Sequence, residues 1–187
     1  MTPPRWRLFI GHPVPATTRK TLDQSLRPYR AARPHVRWMS PESWHLTLLF
    51  LGSVGADRVT ELRCLMEQEA VRWAPYQVRA ASGGGRFSRG EGVAWLALDE
   101  GAGTLIELAA ALAEHCPSDI TTGPPPRRTP SAHLTVARRA DQAVIDALRR
   151  QTYGPLAVTW TVDRLGLIRS HLGPGGARYE TVHEVPL

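Results

Sequence analysis

Apolar positions along the chain recur at two spacings, and the alternation between them predicts the elements. Arg7-Leu8-Phe9-Ile10-Gly11 is a short apolar run that predicts a buried strand, closed by Gly11 and by the turn signals Pro13 and Pro15. Leu22, Leu26 and Tyr29 then follow at helical spacing, with Thr17 or Thr18 as the expected cap and Pro34 as the stop. Val36-Arg37-Trp38 predicts a short strand and Pro41-Glu42 a turn. His45 to Leu51 is a strand of β-compatible residues ended by Gly52. Asp57 is placed to cap a second helix whose apolar face is Val59, Leu62, Leu65, Met66 and Val71.

The second half repeats this order. A strand is expected at Val93 to Leu98 and a helix from about Thr104 to Cys116, with Leu105, Leu108, Ala109 and Leu112 on one side. After the loop Pro124-Pro125-Pro126 comes the strand His133-Leu134-Thr135-Val136-Ala137. A helix capped by Asp141 follows, with Val144, Ile145 and Leu148 inward. Further strands are expected at Ala157 to Asp163, Gly166 to Ser170 and Arg178 to Val185, the last two joined by a turn at Gly173 to Gly176. Gly83-Gly84-Gly85 lacks the following helix of a phosphate-binding loop and reads as a flexible turn.

His45 and His133 lie about ninety positions apart in matching contexts, which predicts a duplicated unit within one domain spanning residues 1–187. Two lobes facing each other would set the two histidine strands side by side in a central cleft. In a strand, residues two apart share a face, so His45 and Thr47 point one way, as do His133 and Thr135. Leu46, Leu48, Phe50, Leu134 and Val136 fall on the other face and are expected in the core.

That pattern has a chemical meaning. A hydroxyl donates to a phosphate oxygen, and an imidazole with an ordinary pKa of about 6.5 gives or takes a proton near neutrality. Opening a cyclic phosphodiester with water needs a base for the nucleophile and an acid for the departing oxygen, and two histidines supply both without an obligatory metal. The pair predicts a bell-shaped pH profile around neutrality. An arginine would complete the phosphate grip. Arg138 follows the second motif directly but is out of phase with His133 and Thr135 unless the strand ends or bulges there, whereas Arg139 has the right parity.

Composition narrows the class without deciding it. Hydrophobic residues at 42% and charged residues at 21% suit a soluble globular domain. No apolar stretch has the length of a membrane span or a signal-peptide core, so a cytoplasmic monomer is expected. The net charge of +6 suits an acidic partner such as an RNA end. Lys20 is the only lysine and stands outside any nucleotidyl-transfer motif, which argues against ATP-driven ligation. Cys64 and Cys116 read as reduced packing residues. Trp38 and Trp44 are candidates for stacking a base or for ordinary packing. His12, His35, His115, His171 and His183 read as structural or solvated.

On Arg7-Leu8-Phe9-Ile10, Trp44-His45-Leu46-Thr47-Leu48-Leu49-Phe50-Leu51-Gly52, His133-Leu134-Thr135-Val136-Ala137-Arg138 and Gly176-Ala177-Arg178-Tyr179, the chain resembles the two-histidine phosphoesterase superfamily. Within it, the resemblance is to the RNA 2′,3′-cyclic phosphodiesterase family, also called 2′-5′ RNA ligase. The resemblance implies an α+β, bilobal fold of two pseudo-symmetric lobes, each with an antiparallel sheet lining a central cleft and helices outside. It implies hydrolysis of RNA 2′,3′-cyclic phosphate ends, or of small cyclic nucleotides, to 2′-phosphates with no cofactor. His45 and His133 would be catalytic, with His45 as acid and His133 as base, and Thr47, Thr135 and Arg138 would bind the phosphate. The family's usual Pro before the second histidine is here Ala132, with Pro130 two places earlier. Alternatives are 2′-5′ ligation by the reverse reaction, and a catalytically silent module that binds RNA ends.

Overall fold

The structure, a computed structural model, describes residues 3–88, 91–120, 127–128, 131–151, 154–173 and 176–187. The first half runs β1 (Arg5–Pro13), α1 (Ala16–Ala32), β2 (Arg37–Trp38), β3 (His45–Gly55) and α2 (Val59–Ala70). A long strand β4 (Tyr76–Ser88) leads to β5 (Glu91–Glu100), α3 (Ala102–His115), β6 (Arg127–Arg128), β7 (His133–Arg138) and α4 (Gln142–Arg149). The chain ends with β8 (Val158–Val162), β9 (Arg164–Gly173) and β10 (Gly176–Pro186).

The strands form one curled antiparallel sheet in the order β10-β9-β1-β3-β7-β5-β4-β8. It reads the same way outward from its middle, where β3 meets β7 through the single pair Leu46↔Leu134. The short strands cross over reciprocally: β2, just before β3, pairs with β7, while β6, just before β7, pairs with β3. Two like halves thus share a seam, as the bilobal α+β expectation required.

Alternation makes the sheet two-faced. Leu8, Ile10, Leu46, Leu48, Leu96, Leu134 and Val136 have no exposed surface and face the helices. The helices present complementary stripes, Leu22 and Leu26 from α1, Leu62 and Met66 from α2, Leu105 to Leu112 from α3, and Val144 to Leu148 from α4. The opposite face of the sheet is left to line the cleft.

Several local expectations are corrected. Pro15, not Thr17 or Thr18, precedes the first turn of α1, without a side-chain cap, and Thr18 is buried. Asp57 sits within a 3-10 turn, Ala56–Arg58, so that α2 starts at Val59 with no side-chain cap. Val71 lies just past α2 and is 85% exposed. Cys64 is exposed on α2, and only Cys116 packs. Gly83-Gly84-Gly85 is not a turn but part of β4, where α4 packs so closely that a Cβ at Gly83 would meet the carbonyl of Leu148. Asp141 caps α4 as expected, accepting the Val144 N–H at 2.8 Å. The loop Pro124 to Pro126 and residues 174–175 of the last turn lie outside the described residues.

Candidate active site

The seam between β3 and β7 builds the site. With Leu46 opposite Leu134, antiparallel register sets Thr47 opposite His133 and His45 opposite Thr135. Because Leu46 and Leu134 are buried on the helix side, all four of these side chains rise on the cleft side. Facing residues across a strand pair stand about 5 Å apart at Cβ and diagonal ones about 7 Å, so the two imidazoles are neighbours at the seam.

Both rings are anchored alike. His45 Nδ1–H donates to the carbonyl of Ser43 at 2.7 Å, and His133 Nδ1–H donates to the carbonyl of Ser131 at 2.9 Å. A carbonyl only accepts, so each bond fixes the proton on Nδ1 and leaves Nε2 for a ligand. The 3-10 turn Pro41–Ser43 presents the first carbonyl. The repeated motif is therefore Ser-x-His-Leu-Thr, a serine longer than the sequence reading used, and its two serines stand in plain view at positions 43 and 131.

A second repeat lies three residues beyond each histidine. Ile10 pairs with Leu49 but Gly11 with Thr47, so Leu48 is an extra residue in β3; Ala94 pairs with Ala137 but Trp95 with Thr135, so Val136 is an extra residue in β7. Each bulge buries two consecutive residues and reverses the alternation beyond it. Phe50 and Arg138 are thereby turned to the cleft. This settles the parity question for Arg138, and it corrects Phe50, which leaves the expected core face and lines the cleft instead.

A cavity of about 410 Å³ opens where these elements meet, lined by His45, Thr47, Arg138, Arg7, Arg37 and Tyr179 among others. His133 and Thr135 stand beside it on the same face of the seam. Arg139 does not line this cavity; it borders an adjacent groove and holds φ +50°, in the left-handed region.

Aromatic rings hold both imidazoles. Phe9 and Tyr179 flank His45 at centroid distances of 4.6 and 4.9 Å, and Trp95 lies 5.5 Å from His133. Burial among these rings, reinforced by the nearby Arg138 guanidinium, pushes the His45 pKa down to about 4 despite the Ser43 hydrogen bond. Phe9 and Trp95 escaped the sequence reading as site residues, since an aromatic in a strand carries no mark of which face it serves.

The other candidates separate cleanly. Trp44 is 1% exposed, a core residue that stacks no base, and Trp38 donates its indole N–H to the Arg33 carbonyl at 3.1 Å. His35, His115 and His171 pair with Asp141, Glu69 and Glu180, and buried His12 bonds the Arg164 carbonyl, so these are structural. Among the described residues no helix is long and apolar enough to cross a membrane.

Comparison with known proteins identifies the fold and the family. RNA 2′,3′-cyclic phosphodiesterase of Thermus thermophilus is 28% identical over 97% of this chain and 90% of that protein. The protein of the same name from Geobacillus stearothermophilus is 27% identical over 98% of this chain, which spans 58% of it. Crystal structures of E. coli LigT share the fold: the NADP+ complex has a TM-score of 0.76 at 24% identity, covering 98% of this chain and 99% of that one. The 3′-AMP complex has a TM-score of 0.73 with the same identity and coverage. The model of the 2′-5′ RNA ligase superfamily matches residues 15–174. With two histidines presented by duplicate strands at one seam, the chain belongs to that superfamily of two-histidine phosphoesterases.

Proposed function

We propose that this protein is an RNA 2′,3′-cyclic phosphodiesterase, in which His45 and His133 exchange protons with water and the ribose while Thr47, Thr135 and Arg138 hold the phosphate. The observation that carries the reading is the seam itself: two His-x-Thr pairs on one face, each imidazole with its Nδ1–H tied to a backbone carbonyl. The names of the two bacterial relatives support the substrate class. The reciprocal strand pairing supports a single unit built by duplication of one half.

Water attacks phosphorus and loses a proton to one imidazole. The bond from phosphorus to the 3′ oxygen breaks, that oxygen takes a proton from the other imidazole, and a 2′-phosphate remains. The hydroxyls and Arg138 bind the nonbridging oxygens and offset charge that grows in the transition state. The resemblance put the acid at His45, but burial argues for the reverse. A ring held neutral in the open cleft is ready to accept a proton, which makes His45 the base and His133 the acid. With a 5′-hydroxyl in place of water, the same groups would open the cyclic phosphate into a 2′-5′ linkage, the hydroxyl losing its proton to one imidazole while the departing 3′ oxygen takes one from the other, and water at its bulk concentration favours hydrolysis.

The test is turnover of 2′,3′-cyclic AMP with chelator present. Replacing either histidine by Ala should lower kcat by about 10²-fold or more while the protein still melts cooperatively. With a p-nitrophenyl phosphodiester, whose leaving group needs no acid, His133→Ala should recover most of its loss and His45→Ala should not. Tight binding without turnover by the wild type would instead identify a silent binding module.

A further inference from the structure

We infer that a row of arginines beyond the catalytic cavity is a second phosphate subsite, which takes the internal phosphodiester of an RNA chain whose cyclic end occupies the first. The inference rests on the function proposed above and specifies its substrate as an oligonucleotide rather than a free cyclic nucleotide.

The row follows from register. Arg37 of β2 pairs with Arg138 of β7, Arg138 pairs with Val93 of β5, and Val93 pairs with Arg86 of β4. Partners side by side across a sheet project to the same face, so these residues form a line across the second half of the cleft face. Strands lie about 4.8 Å apart, which sets Arg86 about 10 Å from Arg138 along the sheet. A groove of about 400 Å³ runs along this line, bordered by Arg37, Arg86, Arg138 and Arg139 with Ser88 and Gly92. It shares Arg37 and Arg138 with the catalytic cavity, so the two are adjoining sections of one trough.

Four guanidinium groups and one hydroxyl border this groove. Such a set selects a phosphodiester anion. Arg139 adds an independent sign. Its φ of +50° is a conformation that glycine or asparagine adopts more readily, yet a long cation stands there, beside the groove. A mononucleotide ends at the first cavity. An RNA chain continues, and its next phosphate is the anion that the trough can reach.

The experiment compares 2′,3′-cyclic AMP, the dinucleotide ApA ending in a 2′,3′-cyclic phosphate, and that dinucleotide with its internal linkage made an uncharged methylphosphonate. The wild type should prefer the charged dinucleotide to the mononucleotide by about tenfold or more in kcat/KM, with the methylphosphonate near the mononucleotide. Arg86→Gln, and Arg139→Asn, which suits the positive φ, should each remove most of that preference while leaving the mononucleotide rate unchanged. Equal rates on all three substrates, or a preference that survives both substitutions, would overturn the subsite and leave the hydrolase reading intact. If no substrate turns over, the hydrolase reading fails, and calorimetric binding of the dinucleotide 2′-phosphate decides the subsite by itself. Each substitution should then weaken binding and lower the slope of log K against log salt by about one. An unchanged slope in both would refute it.

Discussion

At the scale of single residues, Arg138 shows how one backbone irregularity decides which face a side chain serves. Strict alternation sends it to the core side of β7, and the extra residue Val136 returns it to the cleft. The matching bulge at Leu48 delivers Phe50, so equivalent positions supply a cation from one half and an apolar ring from the other. Arg138 is also among the causes that depress the His45 pKa, after burial. Replacing Arg138 by Ala should therefore do two things. It should lower kcat/KM on a cyclic phosphate by about tenfold or more through lost phosphate binding, and it should move the acidic limb of the kcat/KM profile upward, because His45 then protonates more easily. In the wild type that limb belongs near pH 4, well below the neutral bell expected for two ordinary imidazoles. A limb that stays put in Arg138→Ala would show that its charge does not reach His45. The histidines and threonines themselves were legible because a motif repeated in matched contexts is hard to produce by packing alone. The bulges were not, since an extra residue in a strand leaves no mark in composition and reverses the parity of everything after it.

At the scale of elements, most strands and all four helices followed from periodicity, and the misses share a cause. Residues 83 to 85 look like a hinge when glycine is read only as conformational freedom. In the fold they are a place where nothing but backbone fits, because α4 lies directly on β4 and Trp95 crosses Gly84, where a Cβ would come within 2.5 Å of the indole Nε1. The same glycines therefore set the approach of α4 to the sheet and the seat of the ring beside His133. Gly83→Ala should destabilise by about 1–3 kcal/mol, since the new methyl meets the Leu148 backbone rather than a movable side chain. For a chain of this size each kcal/mol lowers Tm by roughly 2–4 °C, measurable in a thermal melt. An unchanged Tm would mean that α4 rides less closely on β4 than the structure shows. The missed cap at Asp57 is a related lesson: a side chain suited to capping was present, but a 3-10 turn moved the helix start beyond its reach.

At the scale of the whole molecule, the two halves are tied by a seam one residue pair long, by the exchanged strands β2 and β6, and by helices that cross between halves, α1 against β8 and α3 against β3. The site exists only where the halves meet, so its chemistry and the stability of the fold share the same groups. His45 at the seam and His12 beneath β9 are both buried as neutral rings, their pKa values pushed below 6.5 mainly by loss of water. Protonation then favours the unfolded chain, where imidazole is ordinary. The contribution of each to stability is complete above pH 6.5 and is lost as pH falls below it, for His45 down to about 4. The carboxylates with depressed pKa values, Asp141 and Asp163 among them, lose theirs only below their ordinary value of 3.8, so the two effects occupy separate windows. Melts between pH 7.5 and 4.5 should show Tm falling throughout the lower part of that range. His45→Gln, which cannot titrate, should fall less steeply than the wild type. Because the ring opens onto the cavity, a bound phosphate anion should restore Tm most at the acid end, where it pairs with the newly charged imidazole. Parallel slopes for variant and wild type would show that His45 is hydrated in the free cleft, and the assignment of His45 as the base would fall with it.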